Sequence, residues 1–112
     1  MNKRELGTQK ELLAMQYLEQ HGMKLLQRNF RCRIGEIDLI AKDGNCIVFV
    51  EVKYRSSNRY GSPLEAVNLR KQQTIRKVAQ YYLIGKGQTD CPVRFDVVGI
   101  CGSQIEHIKN AF

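Results

Sequence analysis

Charged residues interrupt two apolar segments of this chain at positions that a β-sheet would bury. The first segment is Gly35-Glu36-Ile37-Asp38-Leu39-Ile40, and the second is Phe49-Val50-Glu51-Val52-Lys53. A carboxylate buried among Val, Ile and Phe loses its hydration, so it changes its pKa or destabilises the fold unless a cation or metal ion compensates its charge. Asp38, Glu51 and Lys53 are therefore the first candidates for chemistry.

The two segments are predicted to form a β-hairpin that brings these acids together. Asp43-Gly44 lies between them and favours a tight turn, because glycine accepts the positive φ that such turns require. A two-residue loop at Asp43-Gly44 places Asp38 opposite Phe49 and diagonal to Glu51. A four-residue loop that ends at Cys46 places Asp38 directly opposite Glu51. In both registers the two acids face the same way, roughly 5 Å apart if opposed and about 7–8 Å apart on the diagonal.

Carboxylates at that spacing need a positive partner. They repel each other by about 3 kcal/mol at 5 Å if the effective dielectric constant is near 20. Because Mg²⁺ is bound by one or two carboxylates together with waters and phosphate oxygens, Asp38 and Glu51 are predicted metal ligands. Lys53, on the same strand face, can polarise a water or hold a phosphate. The alternative is a structural ion pair of Glu36 or Glu51 with Lys53 on a solvated sheet face.

A single α/β domain over residues 1–112 is expected, because the chain has the length of one core and no repeat or linker divides it. The predicted order is helix, three strands, helix, two strands. The expected ranges are 6–21 for the first helix, 24–33, 35–42 and 46–54 for three strands, about 63–85 for a helix that Pro63 opens, and 94–101 and 104–109 for the last strands.

The first helix contributes a third acid. Its predicted apolar stripe consists of Leu6, Leu13, Ala14, Tyr17 and Leu18. Glu11 falls about 20° from Leu18 on a helical wheel, at the edge of the buried face. From there Glu11 can lean toward the sheet and complete a metal shell or position a water, or it can remain a surface acid.

The second helix carries a lysine in its apolar stripe. The predicted stripe consists of Leu64, Val67, Ile75, Val78 and Tyr82, and Lys71 falls in its middle. The Lys71 stem either snorkels to a wet edge, or its ammonium points at the same cleft as the acids and binds phosphate.

The charge balance favours a polyanionic partner. Lys and Arg number 18 against 11 Asp and Glu, a net charge of +7. The predicted DNA contacts are Arg31, Arg33, Arg55, Arg59 and Lys71. With no apolar run near Met1, we expect neither a signal peptide nor a membrane span, and a cytoplasmic location.

The remaining reactive side chains are assigned to structure. The cysteines are scattered without metal-binding spacing and are interpreted as small apolar residues: Cys32, Cys46, Cys91 and Cys101. His21 and His107 lie in no acid-base motif and are expected on the surface. Asp96, an acid between apolar residues, is expected to be structural.

Five segments of the chain resemble a known family over nearly its whole length. They are Arg28-Asn29-Phe30-Arg31, Gly35-Glu36-Ile37-Asp38-Leu39-Ile40, Val48-Phe49-Val50-Glu51-Val52-Lys53, Tyr60-Gly61-Ser62-Pro63 and Arg94-Phe95-Asp96-Val97-Val98. They resemble the YraN family of small bacterial proteins, which is related in sequence pattern to archaeal Holliday-junction resolvases. Asp38 followed by Glu51-Val52-Lys53 also resembles the signature of the restriction-endonuclease-like nuclease superfamily.

The resemblance implies a restriction-endonuclease-like core, a mixed central sheet flanked by helices. It implies a Mg²⁺- or Mn²⁺-dependent endonuclease that acts on branched or structured DNA, and a homodimer, because a four-way junction needs two symmetric cuts. Glu11 is the counterpart of the extra helical carboxylate of resolvase-like proteins. Lys10 stands where relatives usually carry glycine, which affects the packing of that helix.

Three hypotheses therefore describe the function. In the first, Asp38, Glu51 and Glu11 hold the metal ion and Lys53 activates the attacking water. In the second, the chain is a non-catalytic nucleic-acid-binding or partner-recruiting module on a nuclease scaffold. In the third, it is a protein-interaction domain that predicts no salt-dependent DNA binding.

Overall fold

The predicted architecture is confirmed by the structure, a computed structural model that describes residues 3–56 and 62–112. It contains two helices and one mixed five-stranded sheet in the order helix, three strands, helix, two strands. The elements are α1 (Lys3–Gln20), β1 (Lys24–Arg31), β2 (Glu36–Asp43), β3 (Cys46–Arg55), α2 (Leu69–Gly85), β4 (Val93–Cys101) and β5 (Gln104–Ile108).

The strands lie in the sheet in their order along the chain, from β1 to β5. The β1–β2, β2–β3 and β4–β5 pairs are antiparallel, and only β3 and β4 run parallel. A parallel pair needs a long crossover connection, and α2 supplies it. The one parallel pair thus places α2 across the face of the sheet.

The β2–β3 hairpin adopts the register predicted for the longer loop. Lys42 pairs with Ile47, as that register requires, and pairing continues to Asp43 and Cys46, so that only two residues turn. Gly44 supplies the positive φ, +62°. The alternative register is wrong, because Phe49 pairs with Ile40 rather than with Asp38.

Each face of the sheet carries its own core and its own helix. The α2-side core contains Ile37, Ile40, Ile47, Phe49, Val67, Ile75, Val78, Ala79, Tyr82 and Val97. The α1-side core contains Ala14, Leu18, Met23, Leu39, Ala41, Val48, Val50, Val98 and Ile100. The central strand β3 contributes to both cores, because its side chains alternate between the two faces.

The stripe predicted for α1 is partly wrong. Ala14 and Leu18 are buried, but Leu13 is 38% exposed. Leu13 lies about 140° from Leu18 around a helix, so it cannot share its buried side. Within the described ranges, no helix has the length and apolar character needed to cross a membrane.

The second helix begins later than predicted. Pro63 opens a short 3-10 segment, Pro63–Ala66, and α2 starts at Leu69. Val67 is extended and interrupts the helical path, so Leu64 and Val67 precede α2 although Val67 is still buried. The side chain of Asn68 caps α2 by accepting the N–H of Lys71 at 2.9 Å.

Asp96 is the centre of a buried polar network. It is fully buried, and its carboxylate accepts hydrogen bonds from Arg94 Nε and Nη2 at 2.9 Å, from His107 Nε2 at 2.7 Å and from the N–H of Asn110 at 3.0 Å. Arg94 also contacts Asp43 at 2.9 Å. The structural role expected for Asp96 is therefore the observed one.

This network corrects one prediction about histidine. The side chain of His107 is only 4% exposed, so its predicted surface position is wrong, whereas His21 is exposed as expected. The sequence around His107 carries no sign of this burial, because its partner Asp96 lies on a different strand. Burial by itself would raise the pKa of Asp96, but the donors from His107 and Arg94 outweigh it and lower that pKa.

We expect Asp96→Asn to lower the free energy of unfolding at pH 7 by about 3–5 kcal/mol, because it leaves Arg94 without its buried counter-charge. The folded-state pKa of Asp96 lies below its unfolded value. Its contribution is therefore complete above the unfolded pKa and is lost as the pH falls through the folded one. Urea unfolding between pH 2.5 and 7 measures this. An Asp96→Asn protein that loses stability in acid as steeply as the wild type would contradict the assignment.

Candidate active site

The candidate site lies where the backbone pairing between β2 and β3 stops. The last paired residues are Leu39 and Val50. Carried one residue further, the register places Asp38 level with Glu51. Instead of continuing the ladder, Oδ2 of Asp38 accepts the N–H of Val52 at 2.8 Å. A side chain thus replaces the next backbone partner and fixes the Asp38 carboxylate beside β3.

Glu51 is buried and ion-paired. It is 3% exposed, and its Oε2 lies 3.2 Å from Nζ of Lys71. The Lys71 side chain is 43% exposed, so it reaches from solvent to the buried acid. Of the two orientations predicted for Lys71, the one that points at the acids is observed. The alternative prediction, an ion pair of Glu36 or Glu51 with Lys53, is not observed. Glu51 pairs with Lys71 instead, and Glu36 pairs with Arg31.

Lys53 and Lys71 are neighbours with opposite titration behaviour. Burial, followed by the nearby Lys71 ammonium, lowers the pKa of Lys53. Burial also works against the charge of Lys71, but its contacts with Lys53 and Glu51 outweigh burial and raise the pKa of Lys71. Lys53 is therefore the lysine that gives up its proton more readily, and Lys71 keeps its charge.

The two central acids hold their protons more tightly than free carboxyl groups do. Burial, and then the nearby Asp38, raises the pKa of Glu51 to about 7. Burial also raises the pKa of Asp38, against the hydrogen bond from Val52 and the charge of Lys71. Glu51 therefore exchanges its proton near neutral pH, and both carboxyl groups gain from any added positive charge.

Glu11 approaches this pair from the opposite face of the sheet. Partial burial, and then Asp38, raises the pKa of Glu11. Glu11 lies on α1 and Lys71 on α2: Asp38 raises the pKa of Glu11, and the charge of Lys71 lowers that of Asp38. The structure therefore places Asp38, Glu51 and Lys53 in one region, with Glu11 within electrostatic range of Asp38.

Asn29 belongs to this site and was missed by sequence reasoning. It lies in β1 between the pairs Arg28–Leu39 and Phe30–Ile37, hence level with Asp38. Its φ is +52°, a left-handed conformation that asparagine tolerates better than most residues. Its side chain interacts with the Glu11 carboxylate and lowers the pKa of that acid. An asparagine in the middle of a predicted strand is the signal that could have revealed it.

The donor set suits a hard divalent cation. Asp38 and Glu51 offer carboxylate oxygens, and Mg²⁺ needs only one or two carboxylates when waters and phosphate oxygens complete its shell. Across residues 3–56 and 62–112, no three His, Cys, Asp or Glu side chains are gathered closely enough to hold a metal ion. Glu11 therefore approaches Asp38 without completing a three-carboxylate cluster.

The residues predicted to contact DNA lie in different parts of the structure. Arg55 is half-buried and donates to the carbonyl of Ser62 at 2.7 Å, and Lys71 is engaged with Glu51. Arg31 is the last residue of β1, Arg33 lies in the loop that leads to β2, and both are exposed. Arg59 lies outside the described residues. Lys71 is thus the predicted contact that lies in the site itself.

We expect Glu51→Gln to stabilise the protein at pH 8 in EDTA, because it removes a buried charge. The folded pKa of Glu51 lies above its unfolded value, so stability declines as the pH rises from about 4.5 through about 7, by on the order of 3 kcal/mol. Urea unfolding across this range should show a flatter profile for the variant. A pH profile identical to that of the wild type would refute the shift.

We expect Asn29→Gly to raise the pKa of Glu11 further while changing stability little, because glycine keeps the left-handed φ and removes only the amide. Asn29→Ala should cost about 1–2 kcal/mol more, since its Cβ opposes that conformation. Carboxyl-carbon NMR titration of Glu11 and urea unfolding separate the two effects. An unchanged Glu11 titration in Asn29→Gly would exclude the proposed contact.

Comparison with known proteins agrees with the resemblance noted from the motifs. The model of the uncharacterised protein family UPF0102 matches residues 10–100. The chain is 52% identical to a UPF0102 protein of Geobacter metallireducens, over 100% of this chain and 95% of the relative. It is also 52% identical to a UPF0102 protein of Thermodesulfovibrio yellowstonii, over 100% of this chain and 99% of the relative. The chain therefore belongs to UPF0102, the YraN family.

Proposed function

We propose that the protein hydrolyses phosphodiester bonds in DNA with the help of Mg²⁺ or Mn²⁺. The observation that carries the proposal is the meeting of Asp38, Glu51 and Lys53 where the β2–β3 ladder ends. Asp38 lies level with Glu51 and is held by Val52 at 2.8 Å. Two acids and a lysine with a lowered pKa at one open point of a sheet form the set that metal-assisted hydrolysis requires.

Asp38 and Glu51 would hold the ion. Once bound, a divalent cation would stabilise charge on the transferring phosphoryl group and lower the pKa of coordinated water. The N–H of Val52 orients the Asp38 carboxylate. Glu11, whose carboxylate interacts with Asn29, would position a water on the α1 side of Asp38.

The two lysines have different roles. Lys53 is the lysine that helps activate the attacking water, because burial and the nearby Lys71 lower its pKa and make it the readier of the two to exchange a proton. Lys71 keeps its charge and moves from Glu51 toward the phosphate as negative charge develops there. Before substrate binds, the ion pair with Lys71 compensates the charge of the buried Glu51 carboxylate.

DNA, and branched or structured DNA in particular, is the proposed substrate. The net charge of +7 and the exposed Arg31 and Arg33 support phosphate binding. Each phosphate contact on duplex DNA contributes about 0.9 to the slope of log affinity against log salt. The preference for branches and action as a homodimer come from the resemblance to resolvases.

A second candidate is a nucleic-acid-binding module that does not cut. The ion pair between Lys71 and Glu51 favours it, because this pair balances the buried charge without a metal ion. Calorimetry separates the two functions. Metal binding that vanishes in an Asp38 variant supports the enzyme, and tight, salt-sensitive DNA binding without metal affinity supports the module.

We expect Asp38→Asn to reduce cutting of branched, single-stranded and duplex DNA by about a hundredfold or more, because it removes a metal ligand while its carbonyl can still accept the N–H of Val52. Asp90→Asn, in an exposed loop, is the matched control. Mn²⁺ should also raise the melting temperature of the wild type and of the control but not that of Asp38→Asn. Full metal-dependent cutting by purified Asp38→Asn would refute the assignment.

A further inference from the structure

A cavity of about 700 Å³ opens beside Lys53 on the α2 side of the sheet. We call it the β5 trough and define it by Lys53 and Arg55 on β3, Cys101 on β4, and Gln104 and Glu106 on β5. Cavities of roughly 300–1,000 Å³ are typical of small-molecule sites. The trough shares Lys53 with the candidate active site, so a ligand in it would lie next to the reacting phosphate.

The strand registers explain the shape of the trough. Lys53 pairs with Gly99, which pairs with Glu106, so these residues form one row across three strands. Neighbouring strands lie about 4.8 Å apart, which sets the outer strands of the row about 10 Å apart. The middle residue has no side chain, which leaves room above the β4 backbone for the Pro63 ring.

A second row repeats this pattern one step along the strands. Arg55 pairs with Cys101, and Cys101 pairs with Gln104. A small residue again separates a cation from a polar side chain. Side chains two positions apart share a sheet face, so both rows open on the same side.

Pro63 closes one part of the trough. A Cβ at Gly99 would overlap the Pro63 ring, so the ring sits directly on the β4 backbone. The carbonyl of Ser62, next to it, accepts a hydrogen bond from Arg55 at 2.7 Å and holds the guanidinium at the wall. Packing of the Pro63 ring on the β4 backbone therefore shapes this part of the cavity.

The two sides of the trough, which we call the β3 bank (Lys53 and Arg55) and the β5 bank (Gln104 and Glu106), differ in chemistry. The β3 bank carries the nitrogen donors of Lys53 and the guanidinium of Arg55, which suit phosphate. The β5 bank carries the exposed carboxylate of Glu106 and the amide of Gln104. A carboxylate accepts hydrogen bonds from the exocyclic amine of a nucleobase, and an amide can both donate to and accept from a base edge. The occupant that matches both banks is one nucleotide, with its phosphate on β3 and its base edge on β5.

We propose that the β5 trough receives one unpaired nucleotide adjacent to the phosphate at Lys53, and that Glu106 and Gln104 favour a base that carries an amine. This inference deepens the proposed function and rests on it, since it names the part of the substrate that lies beside the reacting group. The Watson–Crick edge of a paired base is engaged by its partner, so a base that offers this edge to the trough must be unpaired, and the site selects DNA that is single-stranded or distorted at this position.

Titration of ¹⁵N-labelled protein in EDTA with dCMP, dTMP and inorganic phosphate tests the inference. We expect dCMP to shift the amide signals of Cys101, Gln104 and Glu106, and inorganic phosphate to shift only signals near Lys53. Glu106→Ala should weaken dCMP binding about fivefold and dTMP binding less, as loss of one hydrogen bond predicts. Glu19→Ala, an exposed acid on α1, is the matched control and should bind both nucleotides as the wild type does.

Two results would overturn the trough: equal shifts from inorganic phosphate and dCMP, or a ratio of dCMP to dTMP affinity that Glu106→Ala leaves unchanged. Both are measured without metal and without cutting. If Asp38→Asn abolishes cutting but dCMP behaves like phosphate, only the trough is wrong. If dCMP occupies the trough and Asp38→Asn still cuts fully, only the hydrolase assignment is wrong.

Discussion

The hydrogen bond from the N–H of Val52 to Asp38 is the interaction on which the site depends. It ends the β2–β3 ladder with a side chain in place of a backbone partner and so opens the sheet at one point. Side chains from both faces can meet only where such an opening exists. Asp38 raises the pKa of Glu11 on α1, and Lys71 on α2 lowers the pKa of Asp38.

Electrostatic balance explains why the fold tolerates acids among its core strands. Glu51 is nearly inaccessible, and Lys71 compensates it with a chain that extends in from solvent. Asp96, a second buried acid, is satisfied instead by Arg94, His107 and a backbone N–H. The two buried acids therefore differ in their surroundings and in the direction of their pKa shifts. Asp96 is fully enclosed by fixed donors and has a lowered pKa, whereas Glu51 has a movable partner and a raised one.

Much of the fold, and the candidate residues of the β2–β3 hairpin, could be predicted from local sequence patterns. Alternating residues around Asp38 and Glu51, with the Asp-Gly turn between them, were enough for the hairpin and for its catalytic candidates. Features that depend on contacts between residues far apart in the sequence could not be predicted from it. The burial of His107 depends on Asp96 across the sheet, and the role of Asn29 depends on a helix that packs over β1. The start of α2 was misplaced because Pro63 begins a 3-10 segment as readily as a helix, and Asn68 gives the stronger cap.

The parallel pairing of β3 and β4 has a consequence for how this protein matures. These strands can join only after the whole α2 connection has closed, and such long-range pairing is slow compared with hairpin formation. The β2–β3 hairpin can form early, with its acids already side by side but without Lys71 and without the β5 bank. A chain that has formed only this hairpin therefore holds the two acids without Lys71 and without the β5 trough, and the complete candidate site requires the completed topology.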